Sequence, residues 1–112
     1  MPILNADYSD INHDEMAASI GLKPKHIPLI LANFLEETTI ILNSIRESIV
    51  LKDCDKIRLN AHAIKGSAGN LKFNEIYEMA KEVEFAATEQ KCYFEYHAYI
   101  DAIGNSINTI SI

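Results

Sequence analysis

Cysteine, proline and glycine are scarce in this sequence, at 2, 3 and 4 residues among 112. So few breaks leave long uninterrupted segments, and strand-like alternation of apolar and polar residues is sustained nowhere. Basic charge is short too. Ten Lys and Arg against 16 Asp and Glu give a formal net charge of −6, which lacks the basic footprint of a general nucleic-acid binder. No apolar run approaches the roughly eighteen residues of a membrane span, because charges interrupt every one. Met1-Pro2-Ile3-Leu4-Asn5-Ala6-Asp7 lacks the basic start and long apolar core of a secretory signal. Cys54 and Cys92 stand far apart, form no metal or redox motif, and are expected to remain reduced thiols. The expectation is a cytoplasmic chain with neither membrane nor nucleic acid as partner.

What is present is an ordinary globular composition, 48% hydrophobic and 23% charged. The length suits one domain, read as residues 1–112 with a core of about 24–111. Asn12, with Glu15 three residues on and Gly21 as a stop, predicts a short first helix. Pro24 and Pro28 fit the start of a second. Its inward stripe is Ile27, Leu31, Phe34, Thr38, Ile41, Ile45 and Ser48/Ile49, ending near Leu51.

Asp53 or Asp55 suits the cap of a third helix, with Ile57, Ala61, Ile64, Ala68 and Leu71 inside. Asn74 suits the cap of a fourth, which buries Ile76, Ala80, Val83 and Ala87. A fifth runs through Tyr96, Ile100, Ile103, Ile107 and Ile110. The fold class expected is all-α: an antiparallel up-down four-helix bundle with a short additional N-terminal helix.

One stretch departs from this plain patterning: Asn60-Ala61-His62-Ala63-Ile64-Lys65-Gly66-Ser67-Ala68-Gly69-Asn70-Leu71. Two glycines inside a helix cost about 1 kcal/mol each relative to alanine. With Ala61 and Ile64 inward, His62 and Lys65 share the flank one turn apart, and Gly66 and Gly69 clear the surface beside them. An imidazole nucleophile beside a cation fits acceptance of a phosphoryl group. A solvated face, with the glycines serving helix packing or a helix end, accounts for the same spacing and stays open.

The run from His62 to Leu71 resembles the H-x-[IL]-K-G-[SAG]-[SA]-x-x-[LFV] signature of histidine-containing phosphotransfer (HPt) domains. Phe34-Leu35-Glu36-Glu37-Thr38 is similar to that family's F-L-x-x-x segment, and Ala80-Lys81-Glu82-Val83-Glu84 to its A-x-x-[LIV]-E run. Asp53 and Asp55 fall where the family often begins its phosphorylated helix.

The resemblance implies a phosphoryl carrier without kinase activity of its own, taking phosphate from a receiver-domain aspartate or a histidine kinase and passing it to another receiver. By position, His62 is the implied acceptor on Nε2, Lys65 the lysine that holds the phosphoryl oxygens, and Gly66 the glycine that admits a partner. Gly69, Ser67 and Arg58 join Gly66 on the expected docking surface, with exposed apolar residues of the second and third helices.

Glu84 matches the residue that hydrogen-bonds the imidazole, although its spacing alone reads as a solvated acid beside Val83. Many stand-alone carriers have glutamine there. A glutamate is more similar to the phosphoacceptor domain of chemotaxis-type kinases, and a receiver-binding bundle without transfer is a further alternative. Lys72 stands where the family commonly has glycine, so the third helix is expected to end through Asn70.

No cofactor is expected, the Mg²⁺ of the transfer belonging to the receiver, and the carrier is expected to be a monomer. His13, His26, His62 and His97 lie on different elements and make no metal-ligand spacing. Glu36-Glu37 and Asp14-Glu15 read as solvated faces, and Tyr77, Tyr93, Tyr96 and Tyr99 as packing and rim residues.

Overall fold

The apolar rhythm becomes five α-helices and one 3₁₀ turn in the computed structural model, which describes Ile3, Leu4 and residues 6–111. The helices are α1 (His13–Ile20), α2 (Ile27–Val50), α3 (Cys54–Asn70), α4 (Asn74–Thr88) and α5 (Tyr96–Ile107), with the 3₁₀ turn at Pro24–His26. Among the described residues there is no strand. Nor is any helix among them long and apolar enough to cross a membrane.

The Asn12 side chain accepts the Glu15 N–H at 3.0 Å to open α1, and Gly21 closes it in the left-handed region at φ 75°. Both follow the sequence expectation. Pro28 sits in the first turn of α2, where a missing N–H costs nothing. The 24 residues of α2, about 36 Å at 1.5 Å per residue, set the long dimension of a molecule measuring 42 × 22 × 20 Å.

Its buried stripe is Ile27, Leu31, Phe34, Thr38, Leu42, Ile45 and Ser48. Leu42 takes the place expected for Ile41, which is only half-buried. At 3.6 residues per turn, the step after Thr38 is four residues rather than three.

Asp53, not Asp55, caps α3 by accepting the Lys56 N–H at 3.1 Å. The helix buries Ile57, Ala61, Ile64 and Ala68, while Leu71 is half-buried at the cap. The chain then reverses at Lys72, with φ 65°, rather than at Asn70. Phe73 N–H reaches Ala68 C=O at 2.9 Å and Lys72 N–H reaches Gly69 C=O at 3.2 Å. This end pattern favours glycine at its left-handed position. Lys52 (φ 55°) and Gln90 (φ 53°) end α2 and α4 in the same way.

Asn74 is the first helical residue of α4 rather than its cap; that position belongs to Phe73. Phe73 is buried against the rings of Tyr8 and Phe34, at centroid distances of 4.6 and 5.2 Å. Core insertion of this ring fixes where the helix begins, and its C=O accepts the Tyr77 N–H at 2.9 Å. At the other end, α5 stops at Ile107, short of Ile110. Short i to i+3 bonds tighten the chain there, and Ile110 is buried from outside the helix.

α3 packs most extensively on α4, α2 packs on α3 and α5, and α4 packs on α5, while α1 lies against the 3₁₀ turn and α2. Each long helix therefore buries one stripe against two others. The segment before α1 is strapped on: Tyr8 N–H donates to Thr109 Oγ1 at 2.8 Å, and its phenol donates to Glu75 Oε1 at 2.9 Å.

Candidate functional site

Burial of Ala61 and Ile64 turns the residues between them outward, and the His62 side chain is 66% exposed. Its Nδ1 lies 2.7 Å from Glu84 Oε2 on α4. The other oxygen of the same carboxylate, Oε1, accepts from Lys65 Nζ at 2.6 Å. Val83 is fully buried and fixes this turn of α4 against the core. Glu84 is thereby held at the seam with α3, with its side chain 19% exposed, beside Lys65 at 25%.

Burial pushes the Glu84 carboxyl up, but the hydrogen bonds from Lys65 and His62 outweigh it and hold the group below the ordinary carboxylate value. The hydrogen bond to Glu84 holds the Lys65 ammonium above its ordinary value, against a smaller opposing effect of burial. Both are ionised at neutral pH. An ionised carboxylate can only accept, so Nδ1 carries the hydrogen of that bond. In the neutral ring this leaves Nε2 with the free lone pair. The arrangement presents an outward nucleophile with a cation on the same flank.

The two glycines differ. A Cβ at Gly66 would meet nothing within 4 Å, so the surface beside His62 is open there. A Cβ at Gly69 would lie 3.2 Å from Tyr77 Cδ2. The space expected beside the imidazole is occupied at that position by a ring of α4, since α3 and α4 approach closely there. Arg58 is half-buried on α3, one turn before His62, with the exposed Leu59 next to it. Ser67 is half-buried in a groove between α2 and α3 that Asn33, Glu37 and Asn70 also line.

Sequence spacing did not reveal that Lys65 and His62 share one carboxylate. It also missed a cleft of about 460 Å³ lined by Lys65, Lys81, Glu82, Glu84, Phe85 and Thr88. The i, i+3/i+4 recurrence of Lys81, Phe85 and Thr88 around Glu84 was the available signal. His26 and His97 are exposed, and His13 is half-buried. Among the described residues no three His, Cys, Asp or Glu are grouped to hold a metal ion. Tyr96 and Tyr99 are buried, Tyr77 is half-buried and Tyr93 is exposed.

The model of one protein family, the Hpt domain, matches residues 29–106. That range runs from the first turn of α2 to the last turn of α5 and includes His62, Lys65 and Glu84. No curated protein and no solved structure matches the chain.

Proposed function

The chain belongs to the Hpt domain family, whose members serve histidine phosphotransfer in phosphorelay signalling as carriers rather than catalysts, and from that premise we propose that His62 is its phosphoryl acceptor. The observation that carries the reading is the ring's posture. Nδ1 is engaged by Glu84 at 2.7 Å while the side chain stays two-thirds exposed.

In the transfer, the Nε2 lone pair attacks the phosphorus of a receiver's aspartyl phosphate. A P–N bond forms as the P–O bond to the receiver carboxylate breaks, and the carboxylate leaves with the electron pair. Glu84 keeps the Nδ1 hydrogen and offsets the charge that develops on the ring. Lys65 has three donors, so two remain for phosphoryl oxygens while one stays on Glu84. The Mg²⁺ of the reaction belongs to the receiver.

Docking uses Gly66 and Leu59 around the ring, with Ile40 on the adjacent helix, in a small and transient interface. The short α2–α3 and α3–α4 connections support alternate up and down running of α2 to α5.

Incubation with a phosphorylated receiver, followed by measurement of acid-labile phosphate, tests the reading. Wild type takes up label and His62→Gln takes up none, with unchanged helicity; equal labelling of both overturns the assignment. Glu84 being a carboxylate favours a second reading, that of a phosphoacceptor domain of a larger chemotaxis-type kinase. Labelling by a kinase catalytic domain and ATP, but not by a phosphorylated receiver, selects it.

A further inference from the structure

Cys54 and Cys92, far apart in sequence, come to one cavity at the end of the bundle away from the imidazole. Cys54 is the first residue of α3 and half-buried, whereas Cys92 is exposed in the connection between α4 and α5. Both line a pocket of about 340 Å³ with Ile49, Ile57 and Tyr96. Tyr96 is 5% exposed, and its hydroxyl is buried with no hydrogen-bond partner.

A buried hydroxyl left without a partner is costly, so its persistence in a cavity lined by two thiols needs an explanation. Burial pushes the Tyr96 phenol up to about 12, and charge on Cys54 and Cys92 adds to the effect. The phenol therefore remains a donor, suited to an anionic sulfur or sulfenate oxygen.

We infer that Cys54 and Cys92 form a peroxide-sensitive thiol pair that closes into an intramolecular disulfide, with Tyr96 as the positioning donor. Cys92, the exposed thiol, meets the oxidant first. Its sulfur displaces hydroxide from hydrogen peroxide, giving a sulfenic acid and water; sulfur is oxidised and the peroxide oxygen reduced. The Cys54 thiolate then attacks the Cys92 sulfur. An S–S bond forms, the S–O bond breaks, and hydroxide leaves to become water with the Cys54 proton. Tyr96 O–H donates to the sulfenate oxygen and holds it toward Cys54. The non-helical connection that carries Cys92 supplies the adjustment closure requires.

The product staples the start of α3 to the α4–α5 connection. His62 lies eight residues along the same helix, about 12 Å at 1.5 Å per residue, so the cross-link forms whether or not phosphotransfer occurs.

The test treats the dilute full chain with a slight excess of hydrogen peroxide and reads intact mass, a non-reducing gel and a peptide map. Expected are a mass loss of about 2 Da, migration as monomer, and a linked Cys54–Cys92 peptide that dithiothreitol releases. A rise in Tm of about 10 °C follows from the constrained unfolded chain. Cys54→Ser and Cys92→Ser each abolish the linked peptide, and Tyr96→Phe slows its formation several-fold with the Tm of the reduced protein retained. Separate sulfinic acids on the two cysteines, or a Cys92-linked dimer, overturn the inference. A Tyr96→Phe rate equal to wild type removes the role of Tyr96.

Discussion

Two interhelical contacts hold charged groups at nearly the same distance. On α2 and α5, Arg46 Nη1 meets Asp101 Oδ1 at 2.7 Å, with side chains 40% and 62% exposed. On α3 and α4, Glu84 meets His62 and Lys65 at 2.7 and 2.6 Å, with Glu84 only 19% exposed. Distance alone does not separate them. Water screens the first, whose worth is within about 1 kcal/mol. The second is partly withdrawn from water and includes a ring with two inequivalent nitrogens, so its charge fixes which of them carries hydrogen as well as joining helices. The glycines repeat the contrast. A Cβ at Gly104 would sit 3.9 Å from Leu42 Cδ1, an ordinary contact, whereas one at Gly69 would crowd Tyr77 at 3.2 Å.

The largest expected effect strikes the charged groups. Glu84→Ala lowers the rate of phosphoryl uptake about 10- to 100-fold, by analogy with the loss of other groups that orient a histidine, while Asp101→Ala leaves it within about twofold. Single-turnover labelling reads both, and equal loss in the two variants would erase the distinction. The glycines come next. Gly104→Ala stabilises by about 1 kcal/mol through helix propensity. Gly69→Ala falls below it by about 1–3 kcal/mol because the ring must move. Urea unfolding of both variants sharpens or removes the difference.

Lys72→Gly, at the turn that joins the two helices of the site, raises stability by about 1 kcal/mol by relieving a left-handed lysine. A thermal melt showing no rise, or a fall, would refute it. The smallest effect is on the acid limb. Glu84 titrates below its ordinary 4.5 when folded, so the unfolded chain binds its proton first and stability falls as pH drops below about 4.5 through the folded value. Urea midpoints between pH 7 and pH 3 should decline less steeply in Glu84→Gln, which lacks that titration.

The five helices and most of their buried stripes were legible because an apolar residue every three or four positions states its own face. His62 and Lys65 were legible for the same reason, being one turn apart on a single helix. Glu84 was not: its partners lie across a helix seam, and only the family likeness singled it out. Side-chain volume hid other features. Phe73 takes the cap position of α4 expected for Asn74 because a buried ring outweighs a capping amide, and Gly69 makes room for Tyr77. Backbone sign hid Lys72, since lysine ordinarily avoids the left-handed region. Cys54 and Cys92 line one cavity only because packing sets the start of α3 beside the α4–α5 connection.

The strap made by Tyr8 has a topological consequence. Its N–H on Thr109 brings residues from opposite ends of the sequence side by side. A circularly permuted gene, joined there by a short linker and reopened within the α4–α5 connection, would begin at α5 and finish with α4 while keeping every helix-to-helix neighbour. In such a rearranged chain, α3 and α4 would still be translated consecutively, now as the last hairpin made.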